Sequence, residues 1–215
     1  MKIYQFQNLQ KYNGVVNGIS TRDFDSMKKD DGKIDRENLG ELLEVLKLSG
    51  AIVCMGQVHS ADVAIVGNSY QMLIENTDGL ITDKKNISLC VMTADCLPIM
   101  FLDVKKDIIG VAHAGRIGLE KGIIKNILQK FKEDFGSDTS DIKVGVGPGI
   151  EKKCYEINGE FVDIRKTANE LLKKEGILED NIENLDICTK CNKNDFYSYR
   201  GGDEALRFAS VISLI

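Results

Sequence analysis

Short apolar runs rich in β-branched residues recur along the chain, and they predict buried strands. Two of them, Ile87–Met92 and Ile108–Ala112, are each followed directly by polar residues. Residues 93–98 form the polar exit of the first run, and His113 ends the second run. Further strands are predicted at residues 51–54, 62–66, 142–147, 185–188 and 207–215, with a short one between two turns in 77–83.

The beginning of the chain is predicted to form two short strands. They fall within residues 1–22, around the turn-forming Asn13–Gly14 and Asn17–Gly18 pairs. Charged residues and glycine dominate positions 27–35, so a surface loop is expected there. The pattern leaves open whether this loop covers a binding site.

Two segments on either side of the chain's middle have the spacing of amphipathic helices. The first spans residues 36–49, with Asp35 as its N-cap and Gly50 as its stop. The second lies between Asn158, which is expected to cap it, and Gly176, which is expected to end it.

The clearest helical pattern follows His113, where one apolar stripe runs from Leu119 to Phe135. Gly115 and Gly118 lie at its start and allow close backbone approach. Free amides and the positive end of the helix dipole favour an anion at such a position. The sequence therefore places a candidate anion site beside His113.

The mixture of strands and helices predicts an α/β mixed (α+β) fold in a single domain over residues 1–215. The net charge of −5, with lysines and acids interspersed, argues against nucleic acid as the main partner. No stretch approaches ~18 apolar residues, so no membrane span is expected, and no secretory signal is recognised. Six cysteines in such a chain are expected to be thiols in a cytoplasmic protein. The pattern predicts no oligomeric state.

Two histidines and one cysteine stand out as candidate chemistry. Cys96 and His113 follow neighbouring predicted strands, and His59 occurs in a similar setting after Gln57–Val58. A catalytic zinc site uses three such ligands and leaves one position for water. A cysteine nucleophile with a histidine base uses the same residue types. A buried thiol beside two hydrogen-bonded histidines is the third interpretation, and spacing alone favours it because the three residues are far apart in the chain.

Three further motifs are weaker. Cys188 and Cys191 form a CxxC pair, typical of metal or redox sites, but the chain has no second such pair, so an incidental pair is favoured. The glycine-rich residues 145–149 lack the Lys-Ser/Thr of a P-loop and predict a tight turn at the rim of a site. Residues 196–200 can place an aromatic ring and a guanidinium in a pocket, but a strand with an exposed Arg200 is the simpler prediction.

Six motifs occur in order along the chain: Gln57-Val58-His59, residues 77–82, residues 93–98, His113-Ala114-Gly115, residues 147–150 with 154–156, and Cys188-Thr189 with 196–200. Together they closely resemble the laccase-domain family, also called the multicopper polyphenol oxidase family. Members of that family have been reassigned as purine nucleoside phosphorylases with adenosine deaminase activity. The resemblance runs from about Ile19 to the end of the sequence.

This resemblance implies a four-layer α/β/β/α sandwich of mixed sheets. It implies a zinc site in which His59, Cys96 and His113 are the metal ligands and act catalytically through a metal-bound water. It also implies phosphorolysis of adenosine, inosine and methylthioadenosine to base and ribose 1-phosphate, with adenosine deamination as a second activity. The expected partners are a purine nucleoside and phosphate. Copper is a further candidate, because the same donors bind copper tightly.

Around the three ligands, the resemblance suggests residues that bind the substrate or the phosphate. These are Gln57, Asp95, Arg116, Arg200 and Arg207. A general acid for the leaving base is not defined by the sequence, although Asp95 and Glu156 are candidates.

The chain departs from the family pattern at three places. The family usually continues HAG with Trp-Arg-Gly, whereas this chain has Arg116-Ile117-Gly118. One of the paired arginines is missing at Arg200-Gly201, and the closing TGR keeps only Arg207. Metal binding is therefore predicted to be more secure than phosphorolysis. A metal-free Cys–His hydrolase or deamidase, a copper-dependent polyphenol oxidase and a degenerate nucleoside-binding protein stay open as alternatives.

Overall fold

Two β-sheets lie at the centre of the molecule, and the computed structural model describes residues 1–68 and 71–215. The strands are β1 Ile3–Tyr4, β2 Val15–Ser20, β3 Ala51–Gly56, β4 Val63–Ile65, β5 Leu73–Glu75, β6 Gly79–Thr82, β7 Ile87–Thr93, β8 Leu97–Asp103, β9 Ile108–Ala114, β10 Ile142–Val146, β11 Glu156–Ile157, β12 Glu160–Phe161, β13 Ile182–Asn184 and β14 Phe208–Leu214. The helices are α1 Gln7–Gln10, α2 Arg36–Val45, α3 Arg116–Lys121, α4 Ile123–Phe135 and α5 Ile164–Lys174.

Each large sheet has six strands. The first has the order β1-β2-β14-β7-β3-β5, and the second has the order β13-β10-β8-β9-β6-β4. Both are mixed: β7, for example, runs parallel to β3 and antiparallel to β14. Because β7 and β8 belong to different sheets, the turn that joins them crosses from one sheet to the other. Cys96 lies in this turn, and the antiparallel register of β8 and β9 places Pro98 opposite His113.

Apolar side chains fill the space between the two sheets and cover both outer faces. Leu89 and Val91 of the first sheet face Met100 and Val111 of the second in the inter-sheet core. Helix α2 covers the outer face of the first sheet. Helices α3, α4 and α5 cover the outer face of the second. These four layers confirm the predicted α/β/β/α sandwich.

The predicted N-cap of α2 is confirmed, since the Asp35 carboxylate accepts hydrogen bonds from the amides of Glu37 and Asn38. The helix ends at Val45, earlier than the predicted Ser49, because Lys47 turns the backbone into the left-handed region at φ 57°. Gly50 does not end the helix. It lies just before β3, where a Cβ would come within 2.0 Å of the Asn86 carbonyl oxygen.

The helical stripe after His113 is confirmed, but the prediction of one continuous helix is wrong. Gly122, with φ 94°, ends α3 and starts α4, so the chain changes direction between them. The α4 side chains that face the second sheet are buried and aliphatic or aromatic, namely Ile123, Ile124, Ile127, Leu128 and Phe131.

Two predicted turns and caps are misplaced. Asn17–Gly18 lies within β2 and not in a turn, because the Asn17 side chain accepts a hydrogen bond from the Phe6 amide and ties β2 to the preceding segment. Asn158 does not cap α5: it forms the turn between β11 and β12 at φ 52°, and Asp163 is the cap.

Two predicted strands near the C-terminal end are also corrected. Residues 185–188 are not a strand, because the pairing with β10 is made by β13, at residues 182–184. Residues 196–200 form no strand, and Tyr199–Gly201 is a 3-10 turn.

The predicted polar exit at residues 93–98 is too long at its end. Leu97 and Pro98 are the first two residues of β8.

The segment 27–35 forms no helix or regular strand, as expected for a loop, but it is anchored at its start. Met27 is fully buried, and its amide donates to the carbonyl of Arg207. The loop therefore runs beside the C-terminal segment that leads into β14. Within the described residues, no helix combines the length and the hydrophobicity that crossing a membrane requires.

Candidate metal centre and adjoining cavity

His59, Cys96 and His113 come together although they are distant in the chain. Their ligand atoms all lie within 4.8 Å of one another. The Cys96 Sγ is 3.7 Å from the His59 Nε2, and the two imidazole rings meet edge to face with centroids 4.7 Å apart. His59 lies in the loop after β3, Cys96 lies in the turn between the two sheets, and His113 lies at the end of β9.

A buried carboxylate, Asp78, holds two of the three clustered residues in position. Its Oδ1 lies 2.7 Å from the Nδ1 of His113. The same carboxylate accepts hydrogen bonds from the amides of Val58, His59 and Ser60 and from the Ser60 hydroxyl. Because Nδ1 is bound to Asp78, the Nε2 of His113 is left for a metal.

The amide contacts of Asp78 also explain the backbone of His59. His59 has φ 56°, in the left-handed region that most side chains avoid. Three successive amides can point at one carboxylate only if the chain curls around it. The strained conformation therefore aims the His59 ring at Cys96, while Lys121 of α3 donates to the His59 carbonyl.

The turn that carries Cys96 is held by a second buried carboxylate. Asp95, at φ 90°, accepts hydrogen bonds from the hydroxyls of Thr189 and Ser198 at Oδ1 and from the amide of Arg200 at Oδ2. Its carbonyl accepts from the amide of Ile150. The turn is thus tied to the C-terminal loop.

Close packing also fixes the position of Cys96. A Cβ at Gly115, the N-cap of α3, would lie 2.6 Å from the Cys96 sulfur and 3.2 Å from the His59 ring. Only glycine leaves room for the three side chains to converge at the start of this helix.

The electrostatics of the cluster favour the thiolate of Cys96, which is the form of cysteine that binds metals. Burial alone would raise the pKa of Cys96, but the neighbouring His113 and His59 lower it to about 6. Burial would lower the pKa of His113, whereas Cys96 and Asp78 raise it to about 9. Burial would raise the pKa of Asp78, but hydrogen bonds from His113 and the Ser60 amide hold it below its usual value.

This donor set fits a divalent metal. Two imidazoles and one thiolate match the three protein ligands of a catalytic zinc site. The Cys96–His59 distance of 3.7 Å is close to the ~3.6 Å separation expected for sulfur and nitrogen ligands about one tetrahedral zinc. The Asp78–His113 contact supplies the outer carboxylate that commonly orients a metal-binding histidine.

The cluster opens into a cavity of about 390 Å³. Four cationic side chains contribute to its lining, namely Lys28, Arg116, Arg200 and Arg207. Tyr155 and Tyr199 add aromatic surface, and Ile150 and Ile164 add apolar surface. An anion and a flat aromatic group can therefore both find complementary surface beside the His–Cys–His cluster.

The structure also places the residues that the sequence suggested for substrate binding. Gln57, Asp95, Arg116, Arg200 and Arg207 all line the cavity. Gln57, however, uses both ends of its amide on the backbone of Met92, donating to its carbonyl and accepting from its amide. Asp95 is similarly occupied by the C-terminal loop. The substrate-binding roles of Gln57 and Asp95 stay predictions. Both side chains make hydrogen bonds that stabilise the loops around the cavity.

The three arginines of the cavity differ in how their guanidinium groups are held. Arg116 donates to Glu120 one turn along α3, and Ile117 beside it is exposed. Arg207 donates to the carbonyls of Glu204 and Leu206, and burial lowers its pKa. The Arg200 guanidinium lies 5.4 Å from the ring centroid of Tyr155. Glu156, the other candidate acid, is exposed in β11 and is not among the residues that line the cavity.

Sequence reasoning missed Asp78, Lys28 and Tyr155 as parts of the site. Asp78 belongs to a motif that was noted, and the need of a metal-binding histidine for a carboxylate partner could have identified it. Lys28 could not have been found, because only the packing of the 27–35 loop against Arg207 brings it to the cavity.

The chain matches the model of the multi-copper polyphenol oxidoreductase laccase family over residues 10–163 and 158–215. Together with the sandwich and the His–Cys–His cluster, this match defines its class. The chain belongs to this laccase-like family.

Individual relatives carry another name. A purine nucleoside phosphorylase of Clostridium acetobutylicum is 34% identical over 178 residues, which cover 73% of this chain and 74% of the relative. A purine nucleoside phosphorylase of Campylobacter jejuni is 32% identical and covers 85% of each chain. A mouse relative of the same name is 31% identical, but the matched part is only 41% of its length.

Solved structures share the architecture over nearly the whole chain. The hypothetical protein YfiH of Bacillus licheniformis superposes with a TM-score of 0.86 at 25% identity, covering 96% of this chain and 95% of that one. YlmD of Geobacillus stearothermophilus gives a TM-score of 0.84 at 25% identity, with 94% and 93% covered.

Proposed function

We propose that this protein is a metal-dependent purine nucleoside phosphorylase, which uses phosphate to split a purine nucleoside into free base and ribose 1-phosphate. The observation that carries the proposal is the meeting of the His59–Cys96–His113 cluster and a cationic wall in one cavity. The names of the relatives support the same class of reaction. Adenosine, inosine and methylthioadenosine are the proposed substrates.

Phosphate is proposed to bind on the cationic wall. Arg200, Arg207, Arg116 and Lys28 bring positive charge to the cavity, whereas the carboxylate of Asp95 is turned toward its three hydrogen-bond donors. Guanidinium groups form strong charge-assisted hydrogen bonds to phosphate. We assign Asp95 a positioning role, because the amide of Arg200 donates directly to it.

The purine base is proposed to lie against the aromatic and apolar part of the lining. Tyr155 is held beside Arg200, and Ile150 is buried at the cavity wall. A flat heteroaromatic ring gains by stacking on an aromatic face and by burying its apolar area. This arrangement leaves the sugar between the base and the cationic side chains.

Zinc is the proposed cation, held by the Nε2 of His59, the Sγ of Cys96 and the Nε2 of His113. When bound, it supplies a Lewis acid and lowers the pKa of a coordinated water toward ~7, which suits deamination of adenosine as a second activity. Copper binds the same donors tightly. The metal content of the purified protein must therefore be measured before any oxidase activity is interpreted. The six free cysteines also favour a reducing, cytoplasmic location.

The test is to identify the products of adenosine incubated with the zinc-loaded protein, with and without phosphate. Adenine and ribose 1-phosphate that form only with phosphate are expected. The matched control is Cys96→Ala, which removes one proposed ligand and leaves the cationic side chains of the cavity unchanged, and it should form neither product.

Other outcomes separate the alternatives. Inosine in both samples without free base would mean that deamination proceeds while phosphorolysis does not. Turnover that survives complete removal of the metal and is abolished by thiol alkylation would instead support the metal-free Cys–His enzyme. Nucleoside binding without any product would contradict the enzymatic proposal.

A further inference from the structure

A second cluster of potential ligands lies apart from the His–Cys–His site. Cys154, Cys188 and Cys191 bring their sulfur atoms within 4.8 Å of one another. Cys154 follows the glycine-rich turn and ends a 3-10 helix, whereas the other two come from the CxxC motif. The fold therefore supplies the third thiol that the motif lacked.

The spacing of the sulfurs suits a shared cation. The Cys154 and Cys191 sulfur atoms are 3.5 Å apart. Two thiolates on one tetrahedral zinc are about 3.8 Å apart, given Zn–S bonds of ~2.3 Å. A disulfide requires ~2.05 Å between its sulfurs. The three sulfurs are thus arranged around a point and not as one pair with a distant third.

The backbone at Cys188 forms a turn that brings the two CxxC cysteines together. Its carbonyl accepts from the amide of Asn192, which closes a turn over the CxxC residues. This turn keeps the Cys188 and Cys191 sulfur atoms within 4.8 Å of each other.

The closeness of the three sulfur atoms also favours a bound cation. Three neighbouring sulfurs repel one another as thiolates unless a positive charge lies between them. Cys191 is exposed, so an ion can enter from solvent.

We propose that Cys154, Cys188 and Cys191 form a second metal site, which binds a soft, thiolate-preferring cation of the zinc class. Three thiolates select such cations over magnesium or calcium. The site would join the segment after the glycine-rich turn to the CxxC turn. Metal binding at this site does not require the nucleoside reaction proposed above to be correct.

The location gives this site a structural consequence. Thr189 lies inside the CxxC turn and donates to Asp95, which adjoins the ligand Cys96. Tyr155, next to Cys154, lines the nucleoside cavity. A metal in the second site therefore stabilises the segments that carry these two residues.

The experiment measures zinc bound per chain after reconstitution with Zn²⁺ under reducing conditions and removal of excess metal. The wild-type protein is expected to hold two equivalents. A His59→Ala/His113→Ala variant is expected to hold one, and Cys191→Ser is also expected to hold one. Lys190→Ser, in the same turn but without a ligand atom in the cluster, is the matched control and should hold two.

Cobalt(II) adds a readout that does not depend on activity. In the His59→Ala/His113→Ala background, Co²⁺ should produce thiolate-to-metal absorption that is lost when Cys191→Ser is added. Equal zinc content in wild type and Cys191→Ser would overturn the proposal. So would a Cys154–Cys191 disulfide in protein purified without reductant, detected by mass, with no second zinc bound after reduction.

Discussion

Two sides of the cavity hold their charged groups in different ways. The metal side carries His59, Cys96 and His113, and the cationic side carries Lys28, Arg116, Arg200 and Arg207. On the metal side, Asp78 is fully buried and accepts five hydrogen bonds from residues around His59 and His113. On the cationic side, Arg116 pairs with an exposed glutamate and Arg200 is itself exposed. Charges that are buried and fully bonded hold one geometry, whereas exposed ones are screened by solvent and adapt. The metal side is therefore held in one geometry by the fold, whereas Arg116 and Arg200 on the cationic side are free to adapt.

The largest effect is expected from removing a ligand on the metal side. Cys96→Ala should release zinc from the His–Cys–His site and lower turnover by more than about 100-fold, since even outer partners of a ligand contribute ~10–100-fold. Metal analysis and initial rates check this. Cys54→Ala, which removes a buried thiol from the outer face of the first sheet, should lower stability and leave zinc bound. Unchanged zinc at this site in Cys96→Ala would refute the ligand assignment.

Asp78→Asn tests whether the buried carboxylate is what makes the metal side rigid. Zinc affinity should fall by ~10–100-fold. The free energy of unfolding should fall by about 2–3 kcal/mol, because the amides of residues 58–60 lose a charged acceptor. Competition with a chelator and chemical denaturation measure the two effects.

The control for that variant is Asp62→Asn, the same change at an exposed position close in sequence. Its stability and metal affinity should match those of the wild type. If Asp78→Asn behaves like Asp62→Asn, the carboxylate does not hold the site.

Substitutions on the cationic side should change the KM for phosphate and leave metal binding unaffected. Arg200→Ala and Arg207→Ala are each expected to raise the KM for phosphate about tenfold, the effect of losing one charge-assisted hydrogen bond of ~1.5 kcal/mol. Zinc content should not change. Arg36→Ala, an exposed arginine that does not line this cavity, serves as the control. An unchanged KM for phosphate in both variants would place the anion elsewhere.

The smallest effect concerns the link between the turn of Cys96 and the C-terminal loop. Thr189→Val keeps the side-chain shape but removes one of the hydroxyls that donate to Asp95. The free energy of unfolding should fall by about 1 kcal/mol, because Ser198 still donates to the same oxygen. Thr167→Val removes an exposed hydroxyl that donates to the Asp163 carbonyl, and it should lower the free energy of unfolding less. Chemical denaturation of the two variants measures the difference.

Local patterns predicted individual helices and caps, whereas the four layers and the candidate metal ligands were implied by the resemblance to the laccase-domain family. The helix cap at Asp35 and the buried stripe of α4 follow from residues close in sequence. The ordered motifs singled out His59, Cys96 and His113, and the fold brings them together. Their role as ligands stays a prediction until metal is measured.

The errors arose where a long-range contact overrides a local preference. Asn17–Gly18 has the sequence of a turn, yet the bond from the Phe6 amide to Asn17 keeps it in β2. Residues 185–188 have an apolar composition, but β13 makes the pairing with β10. Lys28 and Cys154 join their clusters only through tertiary packing, which the sequence pattern does not encode locally.

The most direct test of the account is the rate of ribose 1-phosphate formation from inosine and phosphate as zinc is titrated into chelator-treated protein. The Cys191→Ser variant is the suitable background, because it isolates the His–Cys–His site. The account predicts a rate that rises in proportion to the zinc bound and reaches its plateau at one equivalent per chain. A full rate without metal, or no rate at one equivalent of zinc, would contradict it.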